Sequence, residues 1–115
     1  MIENIIIKKL DKAICGIRAY GETPEKKDEE YILIDKTDSG LEDQIWHSVI
    51  EVQSISKKSK FRTSWMNDQV IKLLRSIQHS SIASCELTTS YSSTKTATKE
   101  YSYKAVFEIS HYQED

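Results

Sequence analysis

Three histidines, two cysteines and 18 carboxylates supply this 115-residue chain with its acid–base, nucleophilic and metal-binding side chains. A zinc site wants three or four converging ligands, usually with a close pair such as CxxC or HxxxH. His47, His79 and His111 are far apart and form no such pair, so they read as unliganded surface or boundary residues. General acid–base catalysis needs a carboxylate held in a partly dry cleft that shifts its pKa. The carboxylates of "ETPEKKDEE" and "LEDQ" stand in loop-like stretches, the first beside lysines, and read as solvated charge. A cysteine nucleophile needs a histidine base within reach, and neither Cys15 nor Cys85 lies in a distinctive motif. With three glycines, neither GxGxxG nor GxxxxGK is present to cradle a phosphate. The expectation is a protein without catalytic, cofactor or metal residues, and no enzyme.

Two stretches remain. "KKSKFR" at 57–62 places Lys57, Lys58, Lys60 and Arg62 around one aromatic at a strand-to-helix junction. It reads as a solvated connector, a partner contact, or a phosphate contact at a helix N-terminus. The second runs from Leu87 to Ile109, "LTTSYSSTKTATKEYSYKAVFEI". Its first half is nearly all Ser and Thr with interspersed lysines, and its second half alternates aromatic or apolar with polar residues. Tyr, Thr and Val favour strands, so the whole reads as a long hairpin. Lys95, Lys99 and Lys104 would discourage aggregation of an exposed edge. The alternative is an arm that touches a partner by β-augmentation, with Tyr91, Thr94, Lys95 and Lys99 on the contact surface.

The elements that must carry these stretches follow from composition and period. The length fits one domain, residues 1–115. Hydrophobic residues make up 38% and charged residues 30%, with a net charge of -2, which indicates neither a disordered chain nor a general nucleic-acid binder. Two cysteines make no disulfide framework and read as reduced, packed thiols. "MIENIIIKKLDKA" has no long apolar region or cleavage site, and nothing approaches the roughly 18 apolar residues of a membrane span. A soluble protein of a reducing compartment is expected.

Ile2, Ile5, Ile6 and Leu10 recur at helical spacing, which predicts a short helix over 2–12. "AICGIRAY" reads as a strand, "GETPEKKDEE" as a charged loop, "YILID" as a buried strand and "KTDSGLED" as a turn. Residues 44–55 alternate, with Trp46, Ser48, Ile50 and Val52 on one face and Ile45, His47, Val49, Glu51 and Gln53 on the other. Met66, Val70, Leu73, Leu74 and Ile77 make a helical stripe that Phe61 and Trp65 extend backwards. Ser59, Thr63 or Ser64 supplies the N-cap, and the helix closes near His79. Two strands joined by a bend at "TKTATK" follow, the last with Tyr101, Tyr103, Ala105, Phe107 and Ile109 on one face. The order α-β-β-β-α-β-β predicts an α+β two-layer sandwich: a mostly antiparallel sheet of about five strands with two helices on one face.

This pattern resembles the tail terminator, or tail-completion, proteins of long-tailed bacteriophages. The resemblance rests on "CGIRAYGETPEKKDEEYILI", on "DQIWHSVIEVQSISKKS" leading directly to "NDQVIKLLRSI", and on the closing strand "YSYKAVFEIS". It covers most of the chain, although Glu30 stands where the family often has proline. It implies a structural virion protein, assembled in the bacterial cytoplasm, without catalytic residues. Such a protein forms a ring with itself, commonly a hexamer, on the head-proximal end of the tail tube. It ends polymerisation of the major tail tube protein and offers a surface to the head-tail connector protein, with DNA passing through the ring unread. The hairpin from Thr88 to Lys99 and the connector from Lys57 to Arg62 would be the working surfaces, one toward a neighbouring subunit and one toward the tube or connector. A small intracellular adaptor or immunity-type module is a second reading. A ligand-binding domain or small enzyme, with a pocket between helix 61–79 and the sheet lined by Trp46, His47 or Tyr103, is a third.

Overall fold

The computed structural model describes residues 2–25, 29–93 and 100–112. Helix α1 (Ile2–Leu10) buries Ile2, Ile6 and Leu10, spaced one turn apart, with Glu3 in its first turn and Lys8 and Lys9 in its last. These charges complement the helix dipole. It stops two residues before the expected end because Lys12 takes a left-handed backbone (φ 61°). Gly16 repeats that conformation (φ 76°), which glycine adopts without a Cβ clash. The turns this makes occupy much of "AICGIRAY", so strand β1 is only Arg18–Tyr20. Asp11 holds the turn in place: its Oδ1 accepts from the Ala19 N–H and from Arg18 Nε, both at 3.0 Å.

Strand β2 (Glu30–Glu42) is far longer than the expected 31–35, because "KTDSGLE" is strand rather than turn. The reversal comes later, at Asp43 and Gln44, which both have positive φ (50° and 66°). The remaining elements are β3 (Ile45–Ser56), α2 (Lys60–Arg75), β4 (Ile82–Ser92) and β5 (Tyr101–His111). The sheet order is β1-β2-β3-β5-β4, with β1 parallel to β2 and every other pair antiparallel. The α+β sandwich in the order α-β-β-β-α-β-β is therefore the fold of the described residues.

Alternation sorts the strands into two faces. Ile32 and Ile34 of β2, Ile50 and Val52 of β3, and Ala105, Phe107 and Ile109 of β5 all turn toward the helices. There they join Ile2, Ile6 and Leu10 of α1 and Met66, Val70 and Leu74 of α2 in one buried cluster. Each Ile, Val, Leu, Met or Phe side chain among them is worth about 1.5–3 kcal/mol when removed from water. The expected faces of β3 and β5 hold. The expected backward extension of the α2 stripe holds for Trp65, which packs half-buried against the cluster, but not for Phe61, which is 90% exposed, while the polar Thr63 and Asn67 fill the buried stripe beside Met66. Thr63 is satisfied by the Ser59 carbonyl at 2.9 Å, and Asn67 Nδ2 donates to Ser90 Oγ at 2.8 Å.

Candidate assembly interface

The basic connector starts where β3 ends. Ser59 caps α2 by accepting the Arg62 N–H at 3.0 Å, which fixes the direction of the segment. Beneath it lies Glu30, the first residue of β2, whose side chain is only 8% exposed. Glu30 Oε2 accepts from Arg62 Nε at 2.8 Å and from Ser56 Oγ at 3.1 Å, and Lys58 Nζ approaches Oε1 at 3.5 Å. Burial pushes the Glu30 carboxyl up. The hydrogen bonds from Arg62 and Ser56 and the charges of Arg62 and Lys58 outweigh it and hold the group below its ordinary range. Arg62 also lies over the Trp65 ring, 4.5 Å from its centre. Half of the connector's charge is thus spent on folding. Lys57 and Lys60 are exposed, and their side chains form no ion pair among the described residues.

The second expected surface lies on β4, the outermost strand beyond β5. Most of Ile82–Ser92 is exposed, including Tyr91 at 45%. Register shifts between Ile82 and Ser84 and between Leu87 and Thr89 bulge the strand, which blunts an edge against indiscriminate pairing. The hairpin continues past β4, since the Ser93 N–H donates to the Ser102 carbonyl at 2.8 Å. Thr94, Lys95 and Lys99, with the expected bend at 94–99, lie outside the described residues. Ser56 pairs with Tyr101 and Ser92 with Tyr103, so the connector and this hairpin emerge at the same end of the sheet. The Asp43–Gln44 turn leaves from the opposite end.

The helix-free face of the sheet carries a surface that sequence reasoning missed. The segment after β1 borders a cavity of about 350 Å³ lined by Glu22, Leu33, Asp35, Glu51, Gln53 and Lys104. An adjoining space of about 170 Å³ shares Thr23, Leu33 and Gln53 with it and reaches Tyr31, Ile55 and Glu100. Lys104 Nζ lies 3.9 Å from Glu51 Oε2. Tyr31 is 2% exposed, packs edge-on against Tyr20 (ring centres 6.3 Å apart), and donates its hydroxyl to Glu100 Oε2 at 3.4 Å. Burial, reinforced by the Glu100 charge and hydrogen bond, pushes the Tyr31 phenol up to about 12. Glu22, read as loop charge from sequence, here meets Asp35 of β2 and Glu51 of β3, a convergence that only the register reveals.

The histidines and cysteines occupy separate places. Ser48 Oγ lies 2.7 Å from His111 Nε2 and 3.2 Å from Ser39 Oγ, a polar chain across β2, β3 and β5 that is buried at its His111 end. His47 Nδ1 meets Ser110 Oγ at 3.0 Å on the other face. Trp46 and His47, being consecutive in a strand, point to opposite faces and do not line one pocket. Among the described residues no group of three or more His, Cys, Asp or Glu is placed to hold a metal ion, and no helix is long and apolar enough to cross a membrane. Cys15 is exposed rather than packed; Cys85 is half-buried, and burial with the neighbouring Glu86 charge pushes its thiol up to about 11. The sequence matches no protein-family model and no curated protein.

Proposed function

We propose that this chain is a structural protein of a phage or phage-like tail. It forms a ring on the head-proximal end of the tail tube, ends tube polymerisation and presents a surface to the head connector. The observation that carries this reading is the convergence of the connector and the β4–β5 hairpin at one end of the sheet. An exposed edge strand and an exposed aromatic next to lysines that form no ion pair among the described residues together form a contact surface larger than the fold itself requires. Heterologous contacts, in which one patch meets a different patch on the next copy, close into rings, and this molecule offers distinct patches on its two faces.

The experiment is polymerisation of the cognate major tail tube protein with and without this chain, followed by electron microscopy. Tubes of limited length bearing a ring at one end support the role. A chain that stays monomeric in the presence of tubes, and leaves their length unchanged, favours an adaptor or immunity-type module instead.

A further inference from the structure

We propose that the contact between neighbouring copies seats Phe61 of one copy in the Leu33-floored cavity on the helix-free sheet face of the next. This deepens the ring reading and rests on it. The occupant is a second copy of this chain, because each half of the contact supplies what the other lacks.

The projecting half is apolar and positive. Phe61 is 90% exposed at the start of α2, preceded by Lys60 and Lys57, whose side chains form no ion pair among the described residues. Exposing a whole aromatic ring is unusual, and buried aromatics are the common anchors of protein interfaces. The first turn of α2 contains no acidic residue of its own, and the nearby Glu30 carboxylate is engaged by Arg62 and Lys58 rather than by Lys57 or Lys60.

The receiving half is apolar at its floor and negative at its rim. Leu33 lies between Glu22, Asp35 and Glu51, with Lys104 engaged by Glu51 at 3.9 Å. Its volume of about 350 Å³ leaves room for an aromatic side chain and lies at the low end of ligand pockets, about 300–1,000 Å³. The rim carboxylates of one copy would pair with Lys57 and Lys60 of the next. The projection belongs to the helix layer and the cavity to the opposite face of the sheet. The contact is therefore head-to-tail, the kind that builds rings rather than twofold dimers.

Two variants separate the halves. Phe61→Ser removes the projection, and Glu22→Lys with Asp35→Lys reverses the rim; all three positions are exposed, so both proteins should keep the wild-type circular dichroism. Sedimentation equilibrium is expected to show each variant alone self-associating at least about tenfold more weakly than wild type. An isotope-labelled Phe61→Ser copy titrated with the unlabelled rim variant retains one good projection and one good cavity. The pair should form a salt-sensitive one-to-one complex that grows no further, with amide shifts at Leu33, Gln53 and Lys104. Absence of those shifts, or wild-type self-association by either variant, overturns the proposal. Tube capping distinguishes the two readings: wild-type protein that caps tubes while either variant keeps wild-type self-association refutes this contact alone. Intact self-association without capping refutes the tail role alone.

Discussion

Arg62 Nε stands 2.8 Å from Glu30 Oε2, joining the first turn of α2 to the first residue of β2 across 32 positions of sequence. That bond turns the connector from a loose tether into a fixed feature. Arg62→Ala would leave a nearly buried carboxylate with weaker partners. We expect a loss of about 1–3 kcal/mol in denaturant unfolding, with Lys60→Ala close to neutral.

The same pair sets an acid limb. The folded-state pKa of Glu30 lies below its ordinary 4.5, so its contribution is fully present above that pH and is lost as pH falls through the lowered value. Stability curves of Glu30→Gln should be lower at neutral pH and converge toward wild type in acid. Parallel curves would mean that the carboxylate is not ionised in the fold.

Tyr31 predicts the opposite limb. Its phenol is raised from 10.0 to about 12, so its contribution is intact below pH 10 and is lost as pH climbs toward 12. Tyr31→Phe should flatten this alkaline decline in thermal unfolding, and tyrosinate absorbance should report one late-titrating phenol fewer.

Two phenylalanines separate fold from surface. Phe107 is fully buried, and Phe107→Ala should cost about 3–5 kcal/mol by cavity formation. Phe61→Ala should change stability by no more than about 0.5 kcal/mol, since the ring is 90% exposed. A large loss at Phe61 would show that it packs within its own copy.

Deleting residues 90–98 should leave a folded monomer and abolish ring formation. The deletion removes the hydrogen bond between Asn67 and Ser90, so a modest fall in stability accompanies it. A deletion protein that still assembles would release the hairpin from this role.

Much of the fold was legible because period is a local property. The faces of β3 and β5 follow from alternation, and Met66, Val70 and Leu74 from helical spacing. The misreadings arose where local chemistry and tertiary context disagree. Asp38–Gly40 has the composition of a turn, yet the reversal uses Asp43 and Gln44, a pair less favoured at positive φ than Asn-Gly. Phe61 lies off the buried stripe because the polar Thr63 and Asn67 occupy it, Thr63 bonding back to Ser59 one turn earlier and Asn67 reaching Ser90 on β4. The basic run was visible, but Glu30 neutralising part of it was not. The acid-rimmed cavity was invisible for the same reason: Asp35, Glu51 and Lys104 meet only through strand register.

The proposed tail role is tested most directly by the length distribution of tail tubes polymerised with the cognate tube protein in the presence of this chain. Growth is expected to stop, with one ring of this protein at a single end of each tube. Tubes that keep elongating while the protein remains unbound in solution would contradict that role.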